Sequence, residues 1–183
     1  MNLVEPWRPR AGTLAGASAV ASGFAYVAYF FAGFSGTHEL ITLWNLLIIP
    51  TAIYVGLVAA RRGSILAAIS TIAGVVASLL WALGSRMSSV EPWWIGLAAV
   101  WWFGLGWLLR GDRRWLAIFT ILLGVAAAID FVLTVINAPM PIYALGGFKI
   151  PLTMVWSVWL GAALLRDPTL GRASPDASRA VMP

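Results

Sequence analysis

The chain has 183 residues, 61% of them hydrophobic and only 10% charged, with a mean hydropathy of +0.87. A soluble domain carries about 25% charged residues, so that class is excluded, and the apolar mass lies in segments near the roughly 20 residues that cross a bilayer. The net charge is +5 and cysteine is absent, which removes disulfides, thiolate metal centres, iron–sulfur clusters and thiol catalysis.

Residues 1–11 read as a short basic cytoplasmic arm. A first helix is predicted over 12–34. Ala11, Ala15, Ala19 and Gly23 recur four apart along its start. Such a stripe lets a second helix approach closely, and it marks a candidate surface for a membrane protein partner. After a short loop at 35–39, with Thr37 as N-cap, a second helix spans 40–60. Pro50 lies inside it and should bend it, freeing a carbonyl near Leu46. Arg61, Arg62 and Gly63 make a basic turn into a third helix over 64–84. Pro92 suits the first turn of a fourth, over 92–109. Arg110 to Arg114 form the next turn, before a fifth helix over 115–136. An apolar loop with Pro139, Pro141 and a glycine pair leads to a sixth and shortest helix, over 150–165. The tail from Asp167 is rich in Pro, Ser, Asp and Arg and reads as disordered. The domain plan is an arm (1–11), a transmembrane domain (12–166) and a tail (167–183).

Arginine falls at every other connection. Ten of the twelve basic residues lie on one face, and Arg86 and Lys149 lie on the other. This bias orients a membrane protein with its basic loops in the cytoplasm. The fold class is therefore all-α: a polytopic integral membrane protein with six transmembrane helices in one bundle and both termini cytoplasmic. The basic face also favours anionic lipid; its sidedness argues against nucleic acid. Eleven arginines against one lysine, with abundant Ala and Gly, suit a GC-rich bacterial genome and hence a bacterial inner membrane. A shift of 50 residues aligns Trp44 with Trp94, Gly56 with Gly106 and Gly74 with Gly124. That reads as a parallel repeat of two helical hairpins, helices 2–3 and 4–5.

Asp130 is the one ionisable residue clearly inside a predicted span. At about 1.5 Å per residue it sits roughly 6 Å beyond the midpoint of its helix, toward the outer side. A lone carboxylate there costs about 2.5–3.5 kcal/mol, so it should face the bundle and find a partner. Two readings are open. It is a proton, cation or ligand site, or it forms a packing ion pair with Arg86 or Lys149. Tyr26, Tyr29, Asn45 and Thr134 fall on the same side. If they converge with Asp130, Arg86 and Lys149, they make an outward-facing pocket with a few polar anchors in an apolar wall.

Eleven tryptophans are present. Trp44, Trp81, Trp93, Trp94, Trp107 and Trp115 fall near predicted interfaces, where aromatic belts form. Trp101, Trp102, Trp156 and Trp159 fall near mid-membrane, either as a flat wall for a polycyclic ligand or as packing. Trp101 and Trp156 are the ligand candidates among them. His38, Glu39 and Glu91 lack metal-ligand spacing, and no cofactor set can be assembled.

In size, six spans and the small-residue stripe of helix 1, the chain resembles the substrate-binding subunits of energy-coupling-factor vitamin importers. The resemblance implies that Ala11, Ala15, Ala19 and Gly23 dock an energising partner and that a solute is captured from outside. The ligand-loop residues of those subunits have no counterpart here. The expected role is non-catalytic: binding a small apolar or amphipathic molecule near Asp130, or serving as a subunit of a membrane complex. Transport, alone or as a substrate-capture subunit, and lipid chemistry within the membrane are the alternatives.

Overall fold

The computed structural model describes residues 8–32, 38–60, 65–84, 91–111, 113–137 and 149–167. These residues form six helices and no strand: α1 (Arg8–Phe31), α2 (His38–Ala60), α3 (Ile65–Gly84), α4 (Glu91–Leu109), α5 (Arg114–Val135) and α6 (Lys149–Arg166). Five are long and apolar enough to cross a membrane, as in a multi-pass membrane protein. The apolar stretch of α6, Pro151–Arg166, is shorter. Its 18 residues nevertheless rise about 27 Å, close to the roughly 30 Å of a bilayer core.

Five helices start within about two residues of their sequence-predicted positions. The first starts a turn early, because Pro9 is tolerated in a first turn, where N–H groups have no intrahelical acceptor. At the other end of α5 the chain stops on Asn137, at φ 49°. Its N–H bonds to the Thr134 carbonyl at 3.2 Å. Asparagine tolerates that left-handed position after a helix, so Asn137 is a helix stop, exposed to solvent.

Each helix packs on two others in a ring: α1 on α2, α2 on α3, and so on to α6, which returns to α1. Odd helices run from the basic end, where Arg10, Arg110, Arg113, Arg114 and Arg166 gather, to the far end. Even helices return. Seams are closed by small residues or by hydroxyls. Gly16 and Gly161 bring the backbones of α1 and α6 together. Gly56 meets Thr71 between α2 and α3, and Gly106 meets Ile121 between α4 and α5, two contacts offset by the same 50 residues. Between α1 and α2 the Ser18 hydroxyl donates to the Leu47 carbonyl, Ser22 to that of Trp44 at 3.2 Å, and Thr51 to that of Ala15 at 2.7 Å. Helix α2 continues through Pro50. The proline withholds an N–H from the Leu46 carbonyl, and the Ser18 bond falls on the adjacent carbonyl.

The small-residue stripe of helix 1 lies inside this ring. Ala15 and Ala19 are buried, Ala11 packs against the same core, and Gly23 faces Val158, Met154 and Ser157 of α6. The helix approach that the stripe permits is made within the chain.

The α5–α6 seam is different. It is the least extensively packed in the ring, and among the described residues no close glycine contact spans it. Longer side chains tie it instead. The Trp156 indole N–H donates to the Thr120 hydroxyl at 2.9 Å, and Thr120 in turn donates to its own Leu116 carbonyl at 2.7 Å. Thr120→Val keeps the shape and strands a buried indole N–H. It should cost about 1–3 kcal/mol, read as a lowered thermal unfolding midpoint in detergent; an unchanged midpoint would show that the bond contributes nothing.

Candidate functional site

Asp130 lies on the inner face of α5 and is 3% exposed. Its partner is Lys149, the first residue of α6, which forms an ion pair with it. A lysine at a helix start opposes the helix dipole, and the carboxylate opposite compensates for that. The Lys149 ammonium also lies 5.1 Å from the centre of the Trp94 ring, within cation–π range. Of the two readings left open by the sequence, the ion pair is the one observed. Arg86 lies outside the described residues.

Beside this pair, the far half of the ring frames a narrow, partly open pocket with about 20 Å³ of free space. Five helices line it. Tyr26 comes from α1, Trp44 and Asn45 from α2, Ser78 and Trp81 from α3, Trp94, Trp101 and Trp102 from α4, and Lys149 and Thr153 from α6. The rings form a continuous chain. Tyr29 stacks on Tyr26 at 6.3 Å and Tyr26 on Trp44 at 4.6 Å. Trp44 meets Trp81 edge-on at 5.8 Å, and Trp81 meets Trp94. Below them Trp156 is fully buried and stands edge-on to Trp101 and Trp102, at 5.4 and 5.9 Å. It closes the floor and does not line the pocket.

The expected residues therefore divide. Tyr26, Asn45, Trp101 and Lys149 line one pocket, with Tyr29, Asp130 and Trp156 immediately behind it. Thr134 shares a helix face with Asp130, but its hydroxyl donates to the Asp130 carbonyl at 2.8 Å and it does not line the pocket. The Asn45 amide donates to the Ile41 carbonyl at 2.8 Å, leaving its own oxygen as an acceptor.

Trp44, Trp81 and Trp94 do not present their rings on the outer surface of the ring of helices. Trp44 is 6% exposed, and all three turn inward to the pocket. Trp93, Trp107 and Trp115 do face outward. Ser78 and Thr153 are pocket residues that the sequence does not mark, and Trp102, one of the four mid-membrane tryptophans but not among the ligand candidates, lines the pocket beside Trp101.

Two of the lining rings hold an unused donor. Among the described residues, the indole N–H groups of Trp44 and Trp102 and the Ser157 hydroxyl are buried without a hydrogen-bond partner. An unpaired buried donor costs about 1–3 kcal/mol. The pocket thus has flat apolar walls, and two of its lining rings carry an indole N–H that is buried and unpaired. No cluster of three or more metal-ligating side chains occurs among the described residues. No protein-family model, curated protein or solved structure matches the chain.

Proposed function

We propose that this protein is a non-catalytic, six-span protein of the bacterial inner membrane that binds a small, flat amphipathic molecule in its aromatic pocket. Both termini lie in the cytoplasm and the pocket opens outward, an orientation supported by the one-sided arginines. The single observation that carries the binding role is the pair of buried, unpartnered indole donors, Trp44 and Trp102, in a wall of aromatic rings. The free space is about 20 Å³, below the roughly 300–1,000 Å³ of formed ligand sites, so the aromatic walls must part to admit the ligand. The favoured ligand has a fused or extended ring and a carbonyl or similar acceptor. The Asp130–Lys149 pair supports this reading by fixing α6, and with it Thr153, against the pocket.

Fluorenone and fluorene test this, because they share one flat shape and differ in a carbonyl. With the protein in lipid nanodiscs, fluorenone should quench tryptophan fluorescence saturably. Fluorene should bind about fivefold more weakly, the loss of one hydrogen bond near 1 kcal/mol. In Trp102→Phe with Trp44→Phe the two compounds should bind alike. Equal affinity for both in the wild type, or quenching that rises linearly as in simple partition into lipid, would sink the proposal.

A further inference from the structure

The ring's weakest seam opens into a second concavity at the opposite, basic end. There the start of α5 and the end of α6 flank a groove of about 510 Å³, open to the surface. Its mouth carries three guanidinium groups: Arg113 just before α5, Arg114 at its first residue, and Arg166 from α6. Among the described residues one acidic group faces them, Asp167, whose carboxylate lies 3.8 Å from Arg113. The mouth is therefore net positive, and Arg114 and Arg166 are exposed. Below the arginines the walls become apolar. Trp115 is 72% exposed and flanks the mouth, where indoles favour the headgroup level. Trp159 lies deeper on α6, held against Phe119 of α5 at 5.8 Å. Ala162 and Ala163 form the α6 wall between them, and their small side chains leave the groove its depth.

This order, cations above an indole rim above an apolar channel, matches one class of occupant. An anionic phospholipid carries a phosphate at headgroup level and acyl chains below it. Arginine suits that phosphate because its planar fork donates two parallel hydrogen bonds to one oxyanion. Basic pockets between membrane helices on one face are a recognised form of acidic-lipid site. Free phosphate matches only the mouth and gains nothing from the tryptophan and alanine walls.

We propose that the α5–α6 groove is a binding site for one anionic diacyl phospholipid, its phosphate held by Arg114 and Arg166 and an acyl chain lying along Trp159. Because the two arginines stand on different helices, the lipid bridges the seam that glycine contacts do not close. It thereby stabilises the closed ring. This site is separate from the aromatic pocket. The proposal rests only on the chain spanning a membrane, and stands whatever the pocket binds.

The test uses the full chain in maltoside micelles. Dioleoylphosphatidylglycerol, dioleoylphosphatidylcholine and inorganic phosphate are titrated in separate arms, read by thermal unfolding and by native mass spectrometry. Phosphatidylglycerol should raise the unfolding midpoint and be retained at one molecule per chain; phosphatidylcholine and inorganic phosphate should do neither. Arg114→Gln with Arg166→Gln should weaken phosphatidylglycerol binding by at least about tenfold, the scale of losing one charge-assisted hydrogen bond. Arg10→Gln with Arg110→Gln removes the same charge from the same end, away from the groove, and should leave that binding in place. If the groove variant fails to fold, lipid selectivity of the wild type and of the Arg10/Arg110 variant still decides. Equal retention of both lipids, equal loss in the two double variants, or stabilisation by inorganic phosphate alone overturns the proposal.

Discussion

Lys149→Met should destabilise the bundle by more than Asp130→Asn does, although both remove the same ion pair. The asymmetry follows from where each charge is left. The Asp130 side chain is 4% exposed and lies inside α5, whereas that of Lys149 is 13% exposed and sits at the first residue of α6. Without Lys149, a short carboxylate is held in the bundle with no counter-charge paired to it among the described residues. Removing one partner of a buried pair in this way costs about 3–5 kcal/mol. Without the Asp130 charge, the four-carbon stem of Lys149 can carry its ammonium to the helix end and water. The loss is then nearer that of one charge-assisted hydrogen bond, about 1.5–3 kcal/mol. Asp130→Asn with Lys149→Met removes both charges and should recover part of the larger loss. Unfolding midpoints of the four proteins form a double-mutant cycle, and adjacent groups of this kind couple by about 0.5–3 kcal/mol. Strict additivity, or equal losses in the two single variants, would show that the pair does not hold α5 to α6.

The sequence exposes this protein's helices more readily than its faces, for a physical reason. Apolar length and flanking charge set where a span begins and ends, and both are written along the chain. The spans from α2 to α6 were legible to within about two residues on those grounds. Which way a side chain turns is harder. A soluble helix shows its buried face as an apolar stripe, but in a bilayer the outward face is apolar as well. Leu14, Phe24, Ile69 and Leu122 are all exposed, while Ile48 and Leu123 are buried, and nothing in their chemistry separates them. Only polar and very small residues mark a face. Asp130, Asn45 and Tyr26 were readable as inward-facing because burial among partners costs them least. Ala15 and Ala19 were readable as a helix contact, though not as a contact with α2 and α6 of the same chain. Tryptophan is ambiguous by nature, since its ring suits an interface and its N–H suits a buried acceptor. Trp44, Trp81 and Trp94 read as a belt for that reason, and they line the pocket.

The pocket and the groove share one helix of the ring, α6. Seams closed by glycine bring backbones together and leave no room for side-chain chemistry between them. The α5–α6 seam is held by an ion pair at one end and a Trp156–Thr120 bond toward the middle, and it widens at the basic end. Both concavities draw on α6, so the position of that one short helix governs both.

Gly161→Leu should therefore be strongly damaging. A Cβ at Gly161 would lie 2.6 Å from the Gly16 carbonyl oxygen, 2.7 Å from Val20 Cγ2 and 2.8 Å from the Val20 nitrogen. Two of those three atoms are backbone, and no rotamer change relieves them. The reciprocal Cβ at Gly16 meets the Gly161 carbonyl oxygen at 2.9 Å. The two helices touch along their main chains, and any side chain at position 161 must push α6 off α1. One methyl, in Gly161→Ala, should cost about 1–3 kcal/mol, the range for overpacking a tight site. Leucine brings three further carbons into the same gap, and the α5 contacts are too sparse to hold α6 once α1 releases it. Its displacement withdraws Lys149 from Asp130 and Thr153 from the pocket. Fluorenone binding should fall together with stability, in a variant whose substitution lies well away from both. Gly111→Ala supplies the control, because a Cβ there meets nothing within 4 Å, and it should change stability by no more than about 0.5 kcal/mol. The measurements are the unfolding midpoint and the susceptibility of α6 to limited proteolysis in nanodiscs. A Gly161→Leu protein as stable as the wild type, with α6 equally protected, would mean that the ring is not closed at this crossing.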